Sequence, residues 1–339
     1  MLKKLISTVA ITVVVTSGVL ASTLVAQTTQ AKQKSSPVDQ IKRVANRNQQ
    51  EKQYKLEYKL KKGETIQTVT DQAVQTKFQL AGTPENSTSR GKSTHVWKVI
   101  NVDKLGQMTF SLSLKDTDNW QQTDGGDPIT YNNKTHKEGE EVPEAYRPIA
   151  QSVGKTLAVY SVAPNGKILD RRSDLPSNNF GLGEVIDPLP SQPIPVGFSW
   201  AIQTTLDATD ERGKSVKLSA RIRYELARVR GNTAFISFKT EVLTPGISEK
   251  VKSTIITKLS KGEIAFDMEK GRPSVKEARW NGKAQGFEGP DSFLSYVSKM
   301  TRTFTNAGST SSTIGATSAI VANKNAQIKT RDGAPVMRK

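Results

Sequence analysis

The chain contains no cysteine, and this absence excludes disulfide bonds, thiol catalysis and thiolate metal sites. It has only two histidines, His95 and His136, so imidazole is scarce for a catalytic triad or a zinc site. Neither a Gly-x-Ser-x-Gly elbow nor a complete glycine-rich phosphate loop occurs. The sequence therefore favours a non-enzymatic protein with no catalytic residues, no cofactor and no metal ion.

The charge is strongly one-sided, with a formal net charge of +17 over 339 residues. Hydrophobic residues make up 35% of the chain, and the mean hydropathy is -0.49. The basic residues are spread along the chain rather than gathered in runs. Such a charge is compatible with anionic envelope polymers as partners, and equally with a solvated basic surface that prevents self-association.

The N-terminus predicts export. A positive start, Met1–Lys4, precedes an apolar run from Leu5 to Leu20, and small residues recur at Ala21, Ala26 and Ala31. We expect a signal peptide over residues 1–31 and a periplasmic or extracellular protein with no membrane span after cleavage; a retained anchor is the alternative. Nucleic acid is then not an expected partner.

A proline-rich stretch organises the rest of the chain. Four prolines between Pro188 and Pro195 are incompatible with a helix or a central strand, so this stretch is expected to be an extended connector. The predicted fold is mainly β, with two related antiparallel β-meander halves (curved sheets or open half-barrels) and one or two short helices. The predicted segments are a polar leader at 32–52, a first half at 53–172, a connector at 173–195, a second half at 196–305 and a disordered basic tail at 306–339.

Period-two alternation predicts most of the strands. In the first half it marks strands at 54–60, 66–80, 95–100, 108–114 and 157–162, the last with a return at 167–169. In the second half it marks 200–206, 216–226, 234–238, 251–259, a hairpin at 262–272, and 294–304. Residues 81–93 and 115–142 are expected to be loops, and Tyr146 to Val153 have helical spacing.

The two halves share a weak internal repeat. Trp97-x-Val99 followed by Gly106-x-x-x-Phe110 has a counterpart in Tyr224-x-Leu226 followed by Gly231-x-x-x-Phe235. The pattern predicts a duplicated meander, although antiparallel meanders in general share such turn and strand signatures.

The same motifs carry a family resemblance. Lys62-Gly63-Glu64, Val96–Val99, Pro193–Trp200 and Phe266–Gly271 resemble a family of secreted, uncharacterised bacterial proteins found mainly in planctomycetes. The resemblance covers about residues 53–305 and implies a secreted β-rich fold without assigning catalytic residues. More loosely, the stretch from Gly262 to Arg272 resembles the meanders of bacterial envelope lipid carriers, a fold-level analogy.

Two groups of residues are candidates for function. Aromatic side chains at strand positions are expected to pack a core or to line an apolar groove; the candidate ligand-lining residues are Trp97, Phe110, Tyr160, Trp200, Tyr224 and Phe266. An acidic excursion is the alternative site, a hydrolase with paired carboxylates; its residues are Asp124, Asp127, Glu138, Glu140, Glu141 and Glu144.

The leading hypothesis is an exported, non-enzymatic protein that binds a hydrophobic, lipid-like small molecule in a β-lined cleft. The first alternative is a structural or adhesive envelope protein that binds anionic polymers. The hydrolase is the second alternative.

Overall fold

A computed structural model describes residues 52–80, 82–173 and 186–306. The predicted signal peptide, nearly all of the leader, residues 174–185 of the predicted connector and the tail beyond Asn306 lie outside these residues.

Twelve strands dominate the described residues, which confirms the prediction of a mainly β fold. The strands are β1 (Thr65–Leu80), β2 (Thr83–Val102), β3 (Met108–Thr123), β4 (Ile129–Asn132), β5 (Thr156–Val162), β6 (Ile168–Arg172), β7 (Ser199–Thr209), β8 (Ser215–Arg230), β9 (Thr233–Val242), β10 (Ser260–Asp267), β11 (Arg272–Gln285) and β12 (Phe293–Asn306).

All twelve strands belong to one antiparallel sheet. Its order is β6-β5-β3-β2-β1-β12-β11-β10-β9-β8-β7, with β4 paired to β3 beside this path. The two predicted halves therefore merge, because β1 pairs with β12 along fourteen residues from Ile66↔Asn306 to Gln79↔Phe293. The strands that flank the connector, β6 and β7, lie at opposite edges of the sheet.

The repeated motif falls on two hairpins with matching irregularities. The β2–β3 register shifts between Val99 and Asn101, and the β8–β9 register shifts between Leu226 and Arg228. The motif matches Phe110 with Phe235, and this match is wrong by one residue. Val99 pairs with Phe110, whereas its counterpart Leu226 pairs with Ile236. The duplication itself remains a prediction.

Two predicted loops belong largely to strands. Strand β2 begins at Thr83, inside the predicted loop at 81–93, and β3 extends to Thr123, inside the predicted excursion at 115–142. The prediction failed because small and polar residues such as Gly91 and Ser93 carry no apolar alternation. They are strand residues because β2 lies between β1 and β3 and forms ladders with both.

The helices are short. The spacing near Tyr146 does correspond to a helix, α1 (Arg147–Ala150), which follows a 3-10 turn at Glu144–Tyr146. The predicted strand at 251–259 is wrong: it is α2 (Glu249–Ile255), followed by a 3-10 turn at Ile256–Lys258. Ser248 caps α2 by accepting a hydrogen bond from the Val251 N–H, and Val251 and Ile255 share its buried face.

The predicted strand at 54–60 is an extended segment outside the sheet. Its alternation is real, because Leu56, Tyr58 and Leu60 are buried and the residues between them face outward. Its main chain, however, bonds to turns: Tyr58 N–H donates to Pro164 O at 2.7 Å, and Lys59 N–H donates to Gly271 O at 3.0 Å. The segment thus bridges the β5–β6 and β10–β11 turns.

Most of the buried strand side chains lie on one face of the sheet, here called the core face; the opposite face is called the outer face. The largest hydrophobic cluster joins residues of both predicted halves, from Phe110 on β3 to Tyr224 on β8. The extended segment contributes Leu56 and Tyr58, and the connector contributes buried aliphatic residues. The main core therefore joins both predicted halves, and the connector is part of it.

Candidate functional site

The six predicted ligand-lining residues all lie in the main hydrophobic cluster. Trp97, Phe110 and Tyr160 stack in a row across β2, β3 and β5, with ring centroids 5.0 Å and 5.6 Å apart. Trp200 stacks on Tyr224 at 5.5 Å. All except the half-buried Trp200 are buried. The structure therefore places these residues in one hydrophobic cluster, here called the aromatic surface, as two stacked groups and the separate ring of Phe266.

The connector and the extended segment cover this aromatic surface, and neither of them forms a helix or a strand of the sheet. The connector buries Ile186, Leu189 and Ile194 in the same cluster. Tyr58 of the extended segment packs edge-on against Phe266, with centroids 5.5 Å apart. The two covering segments also bond to each other, because Tyr54 and Ile194 exchange main-chain hydrogen bonds of 2.8 Å and 3.0 Å.

Asp187 attaches the connector to the sheet. Its carboxylate accepts a hydrogen bond from Lys276 Nζ at 2.6 Å, and both side chains are buried. The Tyr58 hydroxyl donates to Asp187 O at 2.9 Å. Trp200 Nε1–H donates to Pro188 O at 3.0 Å. Because a buried ion pair is costly to open by removing one partner, Asp187 is an anchor of the connector.

Lys276 belongs to a row of buried polar residues that crosses the core face. Lys276 on β11 is opposite Arg302 on β12, which is opposite Thr70 on β1. Arg302 Nε donates to Thr70 Oγ1 at 3.1 Å. Burial lowers the pKa of Arg302 from its ordinary value, and the carboxylate of Asp187 opposes that shift. One connector carboxylate thus acts on two cations from neighbouring strands.

His95 is a buried base next to this row. It is 1% exposed, and neither ring nitrogen has a hydrogen-bond partner in the part of the chain that the structure describes. Burial is the main cause that lowers its pKa to about 3, and the positive charge of Arg302 adds to this effect. The ring is therefore neutral at ordinary pH.

Sequence reasoning missed the polar row altogether. Lys276 and Asp187 are 89 residues apart, and Arg302 and Thr70 are 232 apart. No local spacing marks such contacts. The one available signal was a charged residue within an apolar alternation, as at Arg302 between Met300 and Phe304.

The acidic excursion does not form a converging site. Asp124, Asp127 and Glu138 are exposed. Glu141 pairs with Arg147 at 2.8 Å, and Glu140 lies 3.5 Å from His136 at the surface. The described residues contain no cluster of three or more metal-ligating side chains. The geometry therefore gives no support to the hydrolase alternative.

A groove of about 650 Å³ lies along the outer face of β8 to β11. Its charged lining is balanced: the cations are Arg223, Lys239, Lys261 and Arg279, and the anions are Glu225, Glu241, Glu263 and Glu277. Several neighbouring charges form ion pairs, such as Arg221 with Glu241 at 2.8 Å. This groove offers no excess of positive charge to an anionic polymer.

Fold and site together define a large open antiparallel sheet whose aromatic core face is closed by its own extended segments. No protein-family model matches the chain, and no curated protein matches it in sequence. A structure described as "Lipid-protein interactions in lipovitellin" is similar, with a TM-score of 0.44 and 10% sequence identity. The match covers 72% of this chain and spans 25% of the lipovitellin chain. Within the described residues, no helix has the length and apolar character needed to span a membrane.

Proposed function

We propose that this is an exported, non-enzymatic protein that binds a hydrophobic, lipid-like molecule on the core face of its sheet, in the place that the connector occupies. The supporting observation is that the connector covers the aromatic surface without pairing to a strand of the sheet; its main chain bonds instead to Tyr54 of the extended segment and to Asn165 of the β5–β6 turn. Export rests on the N-terminal sequence pattern alone. An anionic polymer is the alternative partner.

Burial energies set a lower limit on the size of the ligand. Releasing the connector exposes Ile186, Leu189 and Ile194, at roughly 2 kcal/mol each or about 6 kcal/mol together. A ligand recovers about 0.8 kcal/mol for each methylene that it buries. About eight buried methylenes therefore offset the lost apolar burial alone, and opening the Asp187–Lys276 ion pair adds to this requirement, so the proposal requires a long-chain ligand.

Native mass spectrometry of the protein purified from its own host gives the first test. An additional mass of a few hundred daltons that is lost on denaturation supports a carried ligand and identifies its class. A bare mass in every preparation, together with no uptake of added long-chain lipids, contradicts the proposal.

A matched pair of variants tests where the ligand binds. Leu189→Ala weakens the connector cover, so we expect tighter binding of a fluorescent long-chain fatty acid, by about tenfold or more. Leu218→Ala is the control, because Leu218 is equally buried in a separate cluster with α2. Equal affinities of the two variants for the fatty acid would show that it does not bind in the place of the connector.

A further inference from the structure

The two open edges of the sheet differ in how they are protected. Among the described residues, β6 and β7 are the terminal strands. Strand β6 has five residues, and three of them are charged: Asp170, Arg171 and Arg172. Short length and charge both discourage edge-to-edge pairing. Strand β7 has eleven residues, one charge and no proline or glycine, and it pairs with β8 without a register shift. Strand β7 therefore lacks the short length and the charges that discourage edge-to-edge pairing at β6.

Hydrogen bonds show which backbone groups of β7 point away from β8. Just before β7, Phe198 O accepts from Leu226 N–H at 3.0 Å, so even-numbered residues bond to β8. The backbone N–H and C=O groups of odd-numbered residues must then point away from β8, toward the open edge of the sheet. Thr209 confirms this, because its N–H donates to Thr254 Oγ1 of α2 at 3.1 Å.

Helix α2 and its following turn occupy only the end of this edge. Thr254 Oγ1 accepts a hydrogen bond from Thr209 N–H, and Lys258 Nζ donates to Asp207 O. The preceding stretch, Ser199–Thr205, has no such bond to another described segment on its outward side. It is uncharged, and its outer-face side chains are exposed. Four residues there present outward backbone groups: Ser199, Ala201, Gln203 and Thr205.

We propose that two copies of this chain associate by antiparallel pairing of these stretches about a two-fold axis at Ile202. The register pairs Ile202 with itself, Trp200 with Thr204, Ala201 with Gln203 and Ser199 with Thr205. Every outward N–H then meets an outward carbonyl, as a symmetric interface requires. The core faces of the two sheets become continuous across the axis.

Charge favours a second copy over a charged peptide as the partner. The stretch has no charged side chain that could pair with a charged peptide. Pairing with a second copy therefore brings no two like charges opposite each other. The copies repel at long range, because each carries a net charge of +17. Salt screens that repulsion, so this dimer tightens as ionic strength rises, whereas binding of an acidic peptide would weaken.

A single introduced cysteine tests the register, because the chain has none of its own. Ile202→Cys places two sulfurs opposite each other in a non-hydrogen-bonded pair, where side chains approach most closely. Oxidation should convert most of this variant to a covalent dimer. Thr204→Cys is the control on the same face: its symmetric copy lies four residues away, about 13 Å along the strand. Equal cross-linking of both variants, or none of Ile202→Cys, overturns the proposal.

Proline substitutions test the hydrogen bonds themselves. Gln203→Pro removes an outward N–H and leaves the β8 ladder intact, so sedimentation should show a dimer about thirtyfold weaker with the melting temperature little changed. Thr204→Pro removes an N–H that bonds to β8 and should lower the melting temperature instead. A monomer at every protein and salt concentration overturns the proposal, as do assemblies larger than a dimer or a dimer unaffected by Gln203→Pro.

Discussion

The two ends of the core face are built from different side chains. At the aromatic end, Trp97, Phe110 and Tyr160 are buried under the connector and the extended segment. At the other end, called the hydroxyl end, β1 to β3 present small polar residues, among them Ser87, Ser89, Gly91, Asn119 and Gln121. These residues are only half-buried. The polar row of Lys276, Arg302 and Thr70 lies between the two ends.

The difference shows that one sheet is stabilised in two ways. At the aromatic end, burial of large rings supplies most of the favourable free energy, at about 25 cal/mol per Å² of apolar surface. At the hydroxyl end, long ladders between β1, β2 and β3 satisfy the main chain, and side chains contribute little. Substitutions should therefore have very different effects at the two ends.

The largest effect is expected at the aromatic end. Phe110 is fully buried between Trp97 and Tyr160, so Phe110→Ala should lower the free energy of unfolding by about 4 kcal/mol. Urea denaturation measures this directly. Phe198→Ala is the control, because Phe198 is 36% exposed. A comparable loss in both variants would show that the cost does not come from burial of the ring at the aromatic end.

Asp187 should give the next largest effect. Asp187→Ala leaves Lys276 as a buried cation without its carboxylate, which should cost about 3 kcal/mol in urea denaturation. Hydrogen exchange should then increase in the connector more than in β9.

A second substitution separates charge from packing at this position. Replacing Lys276 as well, in Asp187→Ala/Lys276→Met, removes the unpaired charge and should recover most of the lost stability. If the double variant is less stable than Asp187→Ala, the pair does not act through its charge.

His95 lies between the two ends and makes the free energy of unfolding depend on pH. Its pKa is about 3 in the folded protein and near 6.5 when unfolded, so the unfolded chain binds the extra proton between these values. The stability contribution is full above pH 6.5 and declines below it, by about 1.4 kcal/mol per pH unit. His95→Phe should flatten this decline between pH 7 and pH 5 in thermal melts.

The second histidine provides the control for that experiment. His136 is half-buried in the segment after β4, 3.5 Å from Glu140, so His136→Gln should retain the decline of the parent protein. A decline that disappears in His136→Gln but persists in His95→Phe would contradict the assignment to the buried ring.

The sequence predicts the aromatic end far better than the hydroxyl end. Apolar alternation predicts strands through Trp97, Phe110 and Tyr224 because each buries one face. The same criterion misses the first part of β2, where Ser87, Ser89 and Gly91 have little apolar surface. Those residues are in a strand because both neighbouring strands supply hydrogen bonds, which is a tertiary cause.

The connector shows a second limit of sequence reasoning. Its prolines correctly exclude strand and helix, but they do not reveal that Ile186 and Ile194 are buried in a core shared by both predicted halves. Asp187 also gives no local sign of its partner, because Lys276 belongs to a strand 89 residues later. The aromatic residues of the candidate site were therefore predictable, whereas their cover and its charged anchor were not.

The smallest effect is expected at Ser89, in the middle of the hydroxyl end. Ser89 is half-buried, and Val74 and Gln121 flank it on the neighbouring strands. Ser89→Ala should change the free energy of unfolding by less than about 0.5 kcal/mol, because the ladder is untouched. Ser89→Pro should cost about 3 kcal/mol or more, because β2 is a central strand and loses a main-chain hydrogen bond. If the alanine variant lost as much stability as the proline variant, the side chains and not the ladders would stabilise this end.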